Sequence, residues 1–185
     1  ISDAADLKNL HNNWRNNIKN NATVALTNIS AISGSFSDLD AVITYAGNST
    51  ITGLATQAIT ENSGSGISVA NANTLNSATT GVTTATIQAT SVSNLVANLA
   101  GSSQNQNTGN AYSITIVATD AGNNATNDAS SDAGDLSTID ARTTSSVNIN
   151  IVTALTGTYQ EVSQFYTDYQ NFSNFTNITS VTFDA

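Results

Sequence analysis

The chain carries the sequence SDAGDL at residues 131–136, which repeats SDAADL at residues 2–7 with one substitution. A second pair follows in the same order, because ISGSFSDL at residues 32–39 corresponds to LTGTYQEV at residues 155–162. The second pair is conservative at nearly every position. The matches indicate that one building block occurs more than once in the chain.

A more diverged copy lies between these two. ISVA at residues 67–70 opens it, and Leu75 holds the place that Leu10 and Ile139 hold in the outer copies. The resulting period of roughly sixty residues is in the range that is typical of repeat arrays. The predicted units are residues 1–62, 63–122 and 123–185.

Each unit is predicted to open with a short helix. In the first unit Leu7, Leu10 and Trp14 are three and four residues apart, so they share one helix face, and acidic residues stand in the first turn. This unit has additional residues before its second motif. Its first helix is therefore predicted to be longer than the others, which suits a cap at one end of an array.

Strands are predicted from alternating apolar and polar residues at 23–27, 84–88 and 146–151. The second repeated motif is interpreted as a glycine-containing turn into a second helix, with Ser35 or Thr158 as the N-cap and an acid three residues later. Each unit then closes with another strand. The closing strands are predicted at about residues 50–60, 113–119 and 177–183.

The predicted fold class is α/β, with tandem helix-strand-helix-strand repeats stacked as a short solenoid. Strand-helix-strand connections favour right-handed crossovers and parallel pairing. A lone domain of about 60 residues buries only around 60% of its unfolded surface, so the units are expected to share a core with their neighbours. An all-β solenoid is the alternative, because the Thr-, Val- and Ala-rich residues 81–90 suit it.

Composition limits the partners that the chain can have. Thirteen acidic residues oppose four basic ones, for a net charge of −9, and phosphate binding needs clustered Lys and Arg, so nucleic acid is not expected as a partner. The chain has no Cys, which rules out disulfides and thiolate metal sites. No run approaches the ~18 apolar residues of a membrane span, so no membrane insertion is expected.

The third unit resembles a known group of repeats. DLSTIDARTT at residues 135–144, followed by a β run and LTGT at residues 155–158, is similar to repeats in very large secreted surface proteins of cyanobacteria and other Gram-negative bacteria. These proteins are often described as haemolysin-like calcium-binding proteins, adhesins or surface-layer (S-layer) proteins. The resemblance implies an extracellular, cell-surface location, an assembling role and calcium as a cofactor. The Gly-Gly-x-Gly-x-Asp nonapeptide that binds calcium in such proteins is missing here.

A calcium site would therefore have to come from local acids, and the junction between the second and third units is the candidate. Calcium takes six to eight oxygen ligands, which a Gly-containing loop between two elements can wrap around one ion. The alternative is a polar linker whose Asp residues cap the next helix. The predicted metal ligands are Asp120, Asn123, Asn124, Asn127, Asp128, Asp132 and Asp135.

Catalytic motifs are scarce, and the chain is predicted not to be an enzyme. His11 is the only histidine and is predicted to lie on a helix surface, and no Gly-x-Ser-x-Gly elbow occurs. Phe165, Tyr166 and Tyr169 have helical spacing, which favours a core or an inter-subunit contact over a platform for sugar rings.

The sequence thus predicts a structural, self-assembling repeat segment of an extracellular bacterial surface protein, such as a surface layer, sheath, filament or adhesin stalk, which calcium would stiffen. Its expected partners are copies of itself or neighbouring repeats. The alternative is a glycan- or surface-binding module of an adhesin.

Overall fold

A computed structural model describes residues 2–17, 23–100, 109–117 and 130–184. This part of the chain forms a mixed α/β structure with parallel sheets and six α-helices. The helices are α1 (Ala4–Asn17), α2 (Phe36–Gly47), α3 (Val69–Ser77), α4 (Val92–Asn98), α5 (Ala133–Asp140) and α6 (Tyr159–Asp168). The strands are β1 (Ser2–Asp3), β2 (Val24–Ala25), β3 (Ala31–Gly34), β4 (Ile51–Thr52), β5 (Ala58–Glu61), β6 (Thr83–Thr86), β7 (Ala111–Thr115), β8 (Ser130–Asp132), β9 (Val147–Asn148), β10 (Ala154–Gly157), β11 (Phe172–Ser173) and β12 (Ser180–Phe183).

The strands form three sheets in which every described pairing is parallel. The largest sheet has the order β1-β3-β5-β6-β7-β9-β11, the second has the order β12-β10-β8, and β2 pairs with β4. Paired residues of these strands are between 24 and 33 positions apart in the sequence, as in the pairs Ile59 with Thr83 and Ile114 with Val147. The α/β prediction is confirmed at this level. The all-β alternative is wrong, because six helices lie among the described residues.

Helices pack against one another in chain order, from α1 against α2 to α5 against α6. Small aliphatic side chains fill the core, which agrees with the chain's low aromatic content; Tyr112, Phe165 and Phe172 are the buried aromatic residues within the described ranges. No helix in those ranges is both long enough and apolar enough to cross a bilayer.

The repeated sequences form the same local structure, although they belong to different sheets. At the start of α1, Asp3 Oδ1 accepts a hydrogen bond from the Ala5 amide at 2.7 Å. At the start of α5, Asp132 Oδ1 accepts from the amides of Gly134 and Asp135 at 2.9 and 3.1 Å. Both segments therefore form the same strand-to-helix turn, in which the Asp side chain caps the helix.

Strand pairing gives the same correspondence between the two copies. Ser2 of β1 pairs with Ile32 of β3, and Ser131 of β8 pairs with Leu155 of β10. The first motif of each copy therefore lies beside the second motif of the same copy, in the same register.

The structure also has strands that the sequence does not predict. The second motif predicts a turn around Gly34 and around Gly157, but these residues end strands β3 and β10, in which half-buried and buried residues alternate. The predicted strand at 50–60 is interrupted by a 3-10 turn at Leu54–Thr56, which separates β4 from β5. Four-residue strands are too short to show a clear periodicity, so their pairing partners decide them.

The two motif glycines are required for different reasons. A Cβ on Gly34 would lie 2.9 Å from the Ala4 Cβ, so this position allows β3 to approach α1 closely. Gly157 has φ +141°, which side chains rarely adopt. The helix that follows each glycine begins with the predicted N-cap, Ser35 or Thr158.

Candidate functional site

Two carboxylates approach each other where α5 and α6 begin, and a third lies nearby. A Cβ on Gly134 would lie 2.9 Å from Glu161 Oε1 and 3.0 Å from Asp132 Oδ1, so these two side chains approach the same point. Asp135 lies in the first turn of α5, and the negative charges of Asp132 and Glu161 act on its carboxylate. We refer to Asp132, Asp135 and Glu161 as the acidic cluster. It exists because the parallel strands β8 and β10 are neighbours, which brings the starts of their helices together.

Two members of the acidic cluster already have protein partners. Asp132 caps α5, and Glu161 Oε2 accepts from the Thr158 amide at 2.7 Å and from the Thr158 hydroxyl at 2.8 Å. These hydrogen bonds lower the pKa of Glu161, because they stabilise its ionised form. Asp132 therefore caps a helix, which is the role that the alternative to a metal site predicts.

Asp135 is the member whose charge is disfavoured. Its pKa is raised above the ordinary value, first because burial removes water from the carboxylate and then because Asp132 and Glu161 repel its charge. The Asp135 carboxyl group therefore releases its proton less readily than an ordinary aspartate side chain does.

The structure tests the predicted calcium site only in part. Asp132 and Asp135 lie close together, whereas Asp120, Asn123, Asn124, Asn127 and Asp128 lie outside the described residues. Within the described ranges, no group of three or more His, Cys, Asp or Glu side chains has a geometry that would hold a metal ion. Sequence reasoning placed Glu161 in a helix cap only and missed its proximity to Asp132. No local signal reveals that proximity, because it depends on the pairing of β8 with β10.

A pH titration tests the electrostatics of the acidic cluster. Because the folded pKa of Asp135 is raised, the folded chain holds this proton more tightly than the unfolded chain does. As the pH falls from neutral through the raised pKa toward the ordinary value of 3.8, wild type should gain stability relative to Asp135→Asn, which cannot titrate. The relative gain should stay below about 1 kcal/mol, because solvent screens a partly exposed group.

Thermal unfolding of both proteins between pH 7 and pH 3 measures this difference. If the difference in stability between wild type and Asp135→Asn did not change with pH over that range, the pKa of Asp135 would not be raised in the folded chain.

A second candidate site consists of exposed apolar side chains. Among the described residues, the exposed large hydrophobic side chains all belong to the first helix or to the elements from α6 onward. The exposed fraction is 47% for Leu10, 75% for Tyr159, 48% for Tyr166, 36% for Tyr169 and 56% for Phe183.

The aromatic residues near the chain's end divide into two groups. Phe165 is fully buried, and its ring centroid lies 4.8 Å from that of Phe172, which is also buried. Tyr166 and Tyr169 are exposed, although they belong to the same helical segment. The rings of Tyr159 on α6 and Phe183 on β12 lie 6.2 Å apart at the surface. The sequence predicted a core or a contact for this region, and the core part is confirmed for Phe165.

A polar depression of about 310 Å³ lies between the end of α5 and residues 170–171. Its lining includes Asp140, Thr143 and Asn171, and the Asn171 side-chain amide donates to Asp140 Oδ2 at 3.0 Å. Burial raises the pKa of Asp140, which the hydrogen bond from Asn171 partly offsets. The depression offers hydroxyl, amide and carboxylate groups, which suit a polar ligand.

His11 is not the surface residue that the sequence predicted. Only 7% of it is exposed, its ring stacks on Tyr45 with centroids 3.6 Å apart, and Nε2 lies 3.0 Å from Thr50 Oγ1. The prediction was wrong because Ala4, Leu7 and His11 have the three- and four-residue spacing of a buried helix face. His11 therefore joins α1 to α2 and to the segment before β4.

Comparisons with protein-family models, with curated proteins and with solved structures give no significant match.

Proposed function

We propose that this chain is a structural, self-assembling repeat segment of an extracellular bacterial surface protein, with its α/β units stacked as a short solenoid. Its partners are copies of itself or neighbouring repeats. The proposal assigns it no catalytic step.

Three features of the fold support a stacked array. Strands of the largest sheet follow chain order, and successive helices pack against each other. Paired strand residues recur at separations of 24 to 33 positions, as the register of Ile59 with Thr83 and of Ile114 with Val147 illustrates. Repeats of this kind bury their apolar faces against their neighbours, so a stack needs a neighbour or a polar cap at each end.

The observation that carries the proposal is the position of the exposed apolar residues. Interior helices α2 to α5 contribute none of the exposed large hydrophobic side chains of the described region, whereas α1, α6 and β12 contribute Leu10, Tyr159, Tyr166 and Phe183. Exposed apolar patches mark interaction sites in soluble proteins. A stack with apolar ends is suited to further stacking.

The location rests on composition and on the resemblance noted above. The chain has no Cys, is rich in Ser, Thr and Asn, and is poor in Lys. This composition suits a protein that is exposed to proteases outside the cell. Calcium is proposed at the junction before α5, with Asp132 and Asp135 among its oxygen ligands, as the resemblance implies. The described carboxylates do not form a metal-binding group by themselves, so the other ligands would have to come from residues 120–128.

Electron microscopy of the purified chain, together with light scattering over a range of concentrations, tests the proposal. Ordered polymers that shorten or soften when a chelator removes calcium are the expected result. A chain that remains monomeric at 19.0 kDa at every concentration, with and without calcium, would refute the self-assembling role.

Glycan binding is the second candidate, and the exposed aromatic rings favour it. Flat rings such as those of Tyr159 and Tyr166 can stack on sugar faces, and the polar depression around Asp140 and Asn171 could bind sugar hydroxyl groups. In the same purified material, a monomer that is retained on a glycan array, and is no longer retained after Tyr166→Ala, would favour this function over assembly.

A further inference from the structure

We infer that this chain binds a small, uncharged molecule with a single aromatic ring, in an apolar cleft beside α2; this goes beyond the proposed function. The cleft has a volume of about 400 Å³ and lies between the end of α2, the 3-10 turn that follows β4 and the end of α3. Ligand pockets are about 300 to 1,000 Å³ in size, so the cleft is large enough for one ring. Its lining includes Ile43, Ala46, Ile51, Gly53, Leu54 and Ala78.

The lining makes the cleft suitable for an uncharged ligand. Ile51 and Leu54 are almost completely buried, and Ile43 and Ala46 of α2 are partly buried residues that pack against the core. None of the described residues that line the cleft carries a charge. Burying an apolar ring against such a surface is favourable, whereas a charged group would lose its hydration without gaining a partner. The cleft therefore favours apolar molecules over ions.

The third unit contains the same kind of turn, which identifies the counterpart of Leu54. In the first unit, Gly53 has φ +87° and precedes the 3-10 turn that begins at Leu54. In the third unit, Asn174 has φ +65° and precedes a 3-10 turn that begins at Phe175. Both turns directly follow a two-residue parallel strand, which is β4 in the first unit and β11 in the third. Leu54 therefore corresponds to Phe175.

The helix before this turn shows what lies at the position of the cleft in the third unit. The match between the second motifs of the two units, when it is continued along the helix, aligns Ala46 with Tyr169, whose backbone is still helical. The rings of Tyr169 and Phe175 lie 4.9 Å apart. In the first unit, the smaller side chains of Ala46 and Leu54 line the cleft instead. This arrangement of helix and turn therefore accommodates a ring, and a ligand ring would take the place of the Tyr169 ring.

The aromatic residue next to Ala46 does not supply that ring. Tyr45 stacks on His11 of α1, with ring centroids 3.6 Å apart, and its hydroxyl donates to Asn12 Oδ1 at 3.0 Å. Adjacent residues of an α-helix are about 100° apart around its axis, so Tyr45 faces α1 while Ala46 faces the cleft. A ring that enters the cleft therefore has to come from a ligand.

Saturation-transfer NMR with p-cresol, the side-chain analogue of tyrosine, tests this inference. The method observes the ligand and works for a monomer and for a polymer, so its result does not depend on whether the chain assembles. Wild type should give a saturable signal with a dissociation constant of about 1 mM, which is a typical affinity for a ligand of this size.

Two variants block the cleft and one serves as the matched control. Ala46→Tyr places a ring where the third unit has Tyr169, and Ala55→Phe adds a ring at an exposed lining residue; each should weaken p-cresol binding by about tenfold or more. Thr44→Tyr adds the same ring as the first variant at an exposed position of α2 outside the cleft, and it should bind p-cresol as wild type does. Circular dichroism checks that each variant folds as wild type does.

Three outcomes would overturn the inference. The first is that wild type shows no saturable binding at about ten times the expected dissociation constant. The second is that both blocking variants bind p-cresol as tightly as wild type, because the ligand would then bind elsewhere. The third is that Thr44→Tyr loses binding as the blocking variants do. None of these outcomes bears on self-assembly, which light scattering measures separately.

Discussion

Replacing Phe165 with Ala is expected to lower the free energy of unfolding by about 3 to 5 kcal/mol. Phe165 is fully buried on α6, its ring lies 4.8 Å from that of Phe172, and Tyr166 meets it edge-on at 5.8 Å. The substitution removes a large apolar side chain and leaves a cavity where few other aromatic residues are available to fill it. Because a typical domain has only about 5 to 15 kcal/mol of net stability, the loss is a large part of the total.

Urea unfolding followed by circular dichroism, at a concentration where the chain is monomeric, measures this loss. Tyr166→Ala is the matched control, because it removes an aromatic ring from the next position of the same helix, where 48% of the residue is exposed. Its expected cost is below about 1 kcal/mol. Equal losses in the two variants would mean that α6 does not bury Phe165 as described.

Replacing Gly81 with Ala is expected to cost about 3 kcal/mol, near the upper end of the range for overpacking. A Cβ on Gly81 would lie 2.5 Å from the carbonyl oxygen of Gln57 and 2.6 Å from its carbonyl carbon. These are backbone atoms, so no rotamer change can relieve the overlap. Two hydrogen bonds fix this close contact. The Thr79 hydroxyl donates to the carbonyl oxygen of Gln57 at 2.5 Å, and the Thr80 amide donates to the carbonyl oxygen of Ala55 at 2.8 Å.

Gly47→Ala is the control for this prediction. Gly47 is the last residue of α2, and a Cβ there would meet no atom within 4 Å. Ala is also the better helix former, so this variant should be unchanged or more stable by up to about 1 kcal/mol. If Gly81→Ala unfolded at the same urea concentration as Gly47→Ala, the two turns at residues 55–57 and 79–81 would not be in contact.

Local sequence signals predicted helices in each unit and the starts of α2 and α6. Thr158 and Glu161 form the capping box that their spacing indicates, and Ser35 caps α2 through the Asp38 amide at 3.3 Å. These features depend on residues three or four positions apart, which a helix brings together without help from the rest of the chain. They can therefore be predicted from the sequence alone.

The candidate sites were less predictable because they join distant parts of the chain. Glu161 meets Asp132 only because β10 pairs with β8. Phe165 and Tyr166 are adjacent in sequence, yet one is buried and the other exposed, since their side chains leave α6 on different sides. The helical spacing of the aromatic residues predicted an apolar helix face, but it did not predict which of these residues would pack into the core.

By itself, the sequence determined the α/β class, the repeated motifs and the capping residues, because these depend on composition and on contacts within a few positions. Tertiary structure alone decided that Ala31–Gly34 and Ala154–Gly157 are strands, that His11 is buried against Tyr45, and that Leu10 and Tyr166 remain exposed. Short parallel strands have no hydrogen-bonding partner within themselves. Their structure, and the burial of every side chain beside them, depends on which distant segment supplies the other half of each pair.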